Sequence, residues 1–377
     1  MWLLRTTCTE LRYFNEPPSN YAILSHVWDG EEQSFQDLRA ILTSPDSLSK
    51  ISPKVRDSCG HAASEGYEWL WIDTCCIDKS SSAELSEAIN SMYQWYANAT
   101  VCYAYLRDVP GDQNPYDIDS AFCKSAWFTR GWTLQELLAP RHVQFLSKEW
   151  VKIGDKTMFA SLLEAVTGID TAVLTFRVPL SSIPVAERMR WASQRKTTRV
   201  EDEAYSLMGI FGVHLPTIYG EGKRAFRRLQ EEIMKYSTDH SLFLWGPPMQ
   251  LYTMTEWIGT PSEEVPMLHQ DLLADSVARF GEGWDDDLPF RRFNVSTVSR
   301  FLGTIASLAR LFPAQPTTSE TAVQVGRTND IDIHNGLTTS HCRSSLPPKP
   351  ASGSPGGVRG IHPQNPFPMT LHQALSP

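Results

Sequence analysis

No apolar run in these 377 residues approaches the roughly 18 that a membrane-spanning helix needs. The opening residues, Met1-Trp2-Leu3-Leu4-Arg5-Thr6, lack the longer apolar core of a signal peptide. A basic excess is also missing. The net charge is −9, which argues against nucleic acid as the main partner, because a phosphate-binding face needs surplus Lys and Arg. Lys223, Arg224, Arg227 and Arg228 form a local basic cluster that could serve as a contact point. The seven cysteines, at 8, 59, 75, 76, 102, 123 and 342, are odd in number and show no disulfide framework. Neither CxxC nor HxxxH spacing occurs, so a metal site is not expected. Buried free thiols in a reducing compartment are the expectation, and with it a soluble, cytoplasmic protein. Gly220-Glu221-Gly222-Lys223-Arg224 lacks the glycine spacing and the Lys-Ser/Thr ending of a phosphate loop, and a helix entry after a tight turn accounts for it better. No nucleophile-elbow sequence and no internal repeat is present.

Aromatic residues, by contrast, are plentiful. Of the 12 tryptophans, eight lie in the first 150 residues, enough to bury a large aromatic core there. Three segments stand out: Tyr21-Ala22-Ile23-Leu24-Ser25-His26-Val27-Trp28, Trp69-Leu70-Trp71-Ile72-Asp73, and Phe128-Thr129-Arg130-Gly131-Trp132-Thr133-Leu134-Gln135-Glu136-Leu137-Leu138. The first two are short apolar runs ending in a small or acidic polar residue. Buried parallel strands read this way when they deliver polar side chains to the carboxyl edge of a sheet, where open α/β folds bind ligands.

Along residues 1–150 the pattern alternates. Strands are expected at Ala22–Ser25, Trp69–Ile72, Thr100–Leu106 and His142–Leu146. Helices are expected at Ser34–Leu42, at Lys54–Glu65 between Pro53 and Gly66, after a Ser81/Glu84 capping box, and at Trp132–Leu138. The helix after Ser81 places Leu85, Ile89, Met92, Tyr93 and Tyr96 on one face. This order implies a parallel sheet covered on both faces. Residues 151–245 read as mainly helical, with helices at Phe159–Val166, Val185–Gln194, Glu201–Ile210 and Gly222–Tyr236, then a strand at Ser241–Trp245. The last helix carries Ala225, Phe226, Leu229, Ile233 and Met234 on one side. Residues 246–311 read as a weakly structured extension. From Phe312 to Pro377 there are ten prolines and no Trp or Tyr, which reads as a disordered tail.

The sharpest candidate is Glu136, a carboxylate among apolar residues and on the helix face of Trp132. Partial desolvation would keep it available to a ligand; a first-turn glutamate facing the helix dipole is the ordinary alternative. Ser25, His26 and Trp28 would line the crevice above the first strand, or supply a loop cap, a surface His and a core Trp. Asp73 ends the second strand, where it could bind a ribose hydroxyl or cap a turn. Arg130 and Trp132 complete the candidate binding set.

The three segments in this order resemble the heterokaryon incompatibility (HET) domain of filamentous fungi, over about residues 1 to 150. The likeness continues through Arg190-Trp191-Ala192, Arg199-Val200-Glu201-Asp202-Glu203-Ala204-Tyr205-Ser206-Leu207 and Tyr219-Gly220-Glu221-Gly222 to Trp245. Lys79 departs from the pattern, which has Gln there. The resemblance implies non-self recognition and programmed cell death when incompatible hyphae fuse, with an upstream recognition receptor as partner. A second resemblance, to TIR domains, rests on the strand order and on Trp132-Thr133-Leu134-Gln135-Glu136-Leu137. It implies a flavodoxin-like or TIR-like sheet, NAD as substrate rather than bound cofactor, and Glu136 as the NAD-cleaving residue. A non-catalytic module that signals through self-association or protein partners is the competing expectation.

Overall fold

Residues buried on both faces build the central strands. Ala22–His26 is buried at every position and so is Trp69–Trp71, as strands covered on both sides require. The computed structural model describes residues 1–246, apart from 31, 44–46 and 118, together with residues 272–282. The tail expected to be disordered over 312–377 lies outside them, as does most of the 246–311 extension. All described residues belong to the unit Met1–Leu311.

Among the described residues seven strands form one sheet: β1 (Trp2–Arg5), β2 (Leu11–Tyr13), β3 (Ala22–His26), β4 (Trp69–Trp71), β5 (Val101–Tyr105), β6 (Val143–Leu146) and β7 (Lys152–Asp155). Their order is β2-β1-β4-β3-β5-β6-β7. The four central strands are parallel, with Ile23 paired to Trp71 on one side and to Cys102 on the other. The flanking pairs β1–β2, β1–β4 and β6–β7 are antiparallel. The sheet is therefore mixed, which corrects the expectation of a parallel one. The edge strands escaped the sequence pattern because they are short and polar: Arg12 and Tyr13 are exposed in β2, and β7 reads Lys-Ile-Gly-Asp. Such edges discourage further strand pairing.

The helices are α1 (Phe35–Leu42), α2 (Ser47–Lys50), α3 (Pro53–Ser64), α4 (Ser82–Asn98), α5 (Thr133–Leu138), α6 (Ala160–Thr167), α7 (Thr171–Leu174), α8 (Val185–Ser193), α9 (Asp202–Tyr205), α10 (Met208–Phe211) and α11 (Arg224–Tyr236). Their starts follow capping chemistry. Ser34 and Asp37 form a reciprocal box at α1, and Ser52 with Pro53 opens α3. Gly66, at φ +87°, takes the left-handed turn that releases the chain from α3 toward β4. At α4 Ser81 accepts from the Glu84 N–H as expected, but the Glu84 carboxylate accepts from Trp2 Nε1 (3.2 Å) instead of completing the box. Successive residues of β5 reach opposite layers. Cys102 Sγ meets the Glu136 carbonyl of α5 (3.9 Å), and the Tyr103 hydroxyl donates to Glu65 just past α3 (2.8 Å). Helices thus cover both faces. Trp71 packs edge-on against Trp95 and Tyr96 of α4.

Several expectations for the later residues change. Glu201–Ile210 is two short helices, α9 and α10, rather than one. Ser241–Trp245 is not a strand: His240–Phe243 forms a 3-10 turn, because the Asp239 carboxylate caps the Ser241 N–H (2.9 Å). Met234 turns outward and is exposed, while Ala225, Phe226, Leu229 and Ile233 pack inward as expected. A further segment was not anticipated. The fully buried Gln230 amide pairs with both backbone groups of Ala274, at 2.8 and 3.0 Å, and Val277 and Phe280 are buried in the same region. All six described cysteines are free thiols, and Cys75 and Cys76 are both buried in the turn after β4.

At Gly209 of α10 an added Cβ would lie 2.1 Å from Tyr93 Cβ on α4. Tyr93 Cβ is fixed to its backbone and cannot swing away. Gly209→Ala is therefore expected to destabilise the chain by about 1–3 kcal/mol, the usual range for overpacking. A urea unfolding midpoint equal to that of the parent chain would refute this seating of α10 on α4.

Candidate functional site

The parallel register brings the ends of β3 and β4 side by side. Beyond β3 the chain reaches Trp28, and beyond β4 it reaches Asp73, whose Oδ2 accepts from Trp28 Nε1 (2.7 Å). His26, the last residue of β3, has a fully buried ring, not the surface position of the ordinary alternative. Its Nε2 lies 3.5 Å from Glu32 and its Nδ1 3.8 Å from Asp73 Oδ1. Neither ring nitrogen nor Asp73 Oδ1 has a hydrogen-bond partner, although all three atoms are buried. Buried polar atoms left in this way call for an explanation.

The third sequence segment forms a braced arch. Asp108 accepts from Ser125 Oγ and the Ala126 N–H, both at 2.7 Å, and so starts the 3-10 turn Ala126–Thr129. The chain then pairs with a distant stretch. Gly131 N–H donates to the Lys196 carbonyl (2.8 Å), and Lys196 N–H to that of Thr129 (2.7 Å). A Cβ at Gly131 would fall 2.4 Å from Thr197 Cγ2, so a larger residue there would have to push that side chain aside. Arg195 donates to the Arg130 carbonyl (3.0 Å) and to Thr133 Oγ1 (2.9 Å). At the far end of α5 the buried Lys156 ammonium donates to the carbonyls of Leu137 (3.0 Å) and Pro140. Burial pulls the Lys156 pKa down to about 7.

Glu136 sits in the first turn of α5 and is 5% exposed. The Ser25 hydroxyl donates to Glu136 Oε2, and Trp127 Nε1 donates to Ser25 Oγ (2.7 Å). Burial, with the Asp73 charge adding to it, raises the Glu136 pKa to about 8, against the opposing pull of Ser25 and Arg130.

A cavity of about 240 Å³ opens over this carboxyl group. Of the sequence candidates, Glu136, Trp28, Asp73, Arg130 and Trp132 all line it. Ser25 does not: it is fully buried and its hydroxyl donates to the Glu136 carboxyl. The candidate set missed other residues that line the cavity: Lys79, Arg199, Asp202 and Tyr219. The Tyr219 hydroxyl donates to Asp202 (2.9 Å), and burial raises the Asp202 pKa. Nothing in local spacing ties these residues to Glu136; only their place in the family-like stretches marked them. The Gly220 and Gly222 amides, which a phosphate loop would offer to an anion, already donate to Glu201 Oε1 (2.8 and 3.0 Å). Among the described residues no cluster of His, Cys, Asp or Glu has the makings of a metal site. None of their helices is long and apolar enough to cross a membrane.

Residues 21–119 match the heterokaryon incompatibility protein (HET) family, and residues 224–288 match a domain of unknown function (DUF8212). Over 245 residues the chain is 49% identical to the vegetative incompatibility protein HET-E-1 of Podospora anserina. That match takes up 62% of this chain and 18% of the relative, so the chain spans less than a fifth of that protein's length. No solved structure matches the chain. The HET resemblance carried by the sequence motifs is thus borne out. The family match contains Ser25, Trp28 and Asp73 and ends before Arg130.

The Glu136 shift has a definite sign for stability. Its folded pKa of about 8 lies above the ordinary 4.5, so its contribution is fully present below that ordinary value and is lost as pH rises toward 8. Lys156 acts oppositely, but only above its folded pKa of about 7. Between pH 5 and 7 the Glu136→Gln variant should therefore lose less stability with rising pH than the parent, by up to about 1 kcal/mol per pH unit. Urea titrations at pH 5, 6 and 7 with parallel slopes for both chains would contradict this.

Proposed function

We propose that this HET-domain chain acts in the cytoplasm as an effector of fungal vegetative incompatibility, and that it triggers cell death by hydrolysing NAD in the cavity over Glu136. The observation that carries the reading is a buried carboxyl, oriented by Ser25, beneath a cavity walled by two indoles at the carboxyl edge of parallel strands. In chain order those strands run second, first, third, fourth across the sheet. That order is the one flavodoxin-like folds use, with the ligand at the switch point, and it supports the TIR-like reading. A cavity of about 240 Å³ is small for a whole dinucleotide but suits one ring and its sugar.

The chemistry follows from the residues. The bond between C1′ of the ribose and the nicotinamide nitrogen breaks, and its electron pair leaves with the ring, which becomes neutral. Positive charge grows on the sugar, and the ionised Glu136 carboxylate opposes it. Water then adds to C1′ and releases a proton, giving nicotinamide and ADP-ribose. In this reading Asp73, which lines the cavity, accepts from a ribose hydroxyl. Arg130 and Trp132 line the same cavity.

The full chain at high concentration should consume NAD, and Glu136→Gln should cut turnover by about 100-fold or more. Because the free enzyme must ionise Glu136, kcat/KM should rise with pH up to about 8. Loss of killing in fungal cells should accompany the loss of turnover. A folded, concentrated chain that turns over no NAD, and a Glu136→Gln variant that still kills, would instead favour the non-catalytic module acting through protein partners.

A further inference from the structure

Trp28 is held in place before any ligand arrives. Its ring nitrogen is tied to Asp73 (2.7 Å), so the plane of the indole is fixed at the cavity mouth, where the side chain is 41% exposed. A tryptophan face presented in this way attracts cations by its quadrupole, out to about 6 Å from the ring centre. In this chain the face is already taken. Lys79 Nζ stands 3.9 Å from the ring centroid, and both side chains line the cavity. Among the described residues Nζ makes no ion pair, and beyond the indole at 3.9 Å it feels the longer-range attraction of Asp73 and Glu32.

Asp73 and Asp202 line the rest of the cavity beside Arg130 and Arg199, and Glu136 adds a further negative charge once it ionises, above about pH 8. A flat ring bearing a fixed positive charge would cover the indole and face the carboxylates together. An ammonium on a flexible stem imitates only the first of these contacts.

We propose that Lys79 is a built-in competitor for the cation site on Trp28, so that the cavity selects positively charged aromatic rings and Lys79 sets how tightly they bind. The inference rests on the reading of the cavity as a nicotinamide-nucleotide site. It adds that the oxidised, cationic ring is recognised through its charge, and that Lys79 must leave the indole for the ring to enter. Cleavage turns the ring neutral, so the product loses the attraction that admitted the substrate and Lys79 regains its place.

The test uses two probes without a scissile bond: the N-methylnicotinamide cation and uncharged nicotinamide. Each is titrated into the full chain and into its Lys79→Gln and Lys79→Arg variants, with binding followed by ligand-observed NMR. The parent should prefer the cation. Lys79→Gln should bind the cation about threefold to thirtyfold more tightly, the range of one cation–π contact, and bind nicotinamide unchanged. Lys79→Arg, which keeps a cation over the indole, should behave as the parent. Equal affinity of the parent for the two probes would overturn the inference, as would an unchanged cation affinity in Lys79→Gln. An equal gain for both probes would also overturn it, since Lys79 would then merely fill space. The outcome is independent of turnover: a charge-selective cavity that cleaves no NAD would sink the enzymatic reading alone, and NAD cleavage without charge selection would sink this inference alone.

Discussion

A carboxyl group withdrawn from water has to find donors or keep its proton. Glu136 does some of each, and much of the surrounding structure is arranged to make that tolerable. Ser25 donates to it, and Trp127 fixes Ser25 from behind, so one hydrogen-bonded chain ties the middle strand of the sheet to α5 through the aromatic core. A six-residue helix cannot hold itself in water. Its ends are therefore caught from outside, by Arg195 and Lys196 at the start and by Lys156 at the finish. Two of these braces are themselves costly, since burial lowers the Lys156 pKa to about 7 and that of Arg195 to about 10.

Charges of both signs crowd a small space here. Packing made for stability alone would fill the same volume with apolar side chains, because desolvating ions often outweighs their mutual attraction. The unpartnered atoms of His26 and Asp73 point the same way. A concentration of shifted or unsatisfied groups in one cleft is the usual physical mark of a site, and here it coincides with the carboxyl edge of the parallel strands.

The central strands and several helices were legible because their signals are local: apolar runs for β3, β4 and β5, the Pro53 start and Gly66 stop of α3, and the Ser81 cap of α4. Glu136, Asp73 and Trp28 were legible for the same reason, each standing at the end or in the midst of an apolar run. Three things were not. β1 and the edge strands β2 and β7 draw their identity from their partners rather than from their own residues. Ser25 was assigned to the cavity because strand alternation does not say which element covers it, and the answer was Glu136 itself. The wall formed by Asp202 and Tyr219 depends on a bridge between Arg130 and Lys196 that no spacing rule encodes.

That bridge has a consequence for what can be exchanged between proteins. The stretch that matches the HET family stops at residue 119, yet the carboxyl lies at 136 and other lining residues at 202 and 219. The stretch that matches the family and the stretch that encloses the cavity are therefore different lengths. A recombination or gene fusion that moved only the shorter piece would carry Trp28 and Asp73 into a new host without the carboxyl or the wall that encloses them. The segment between Gly131 and Tyr219 thus decides whether a transplanted domain arrives as a cavity or as an open sheet edge.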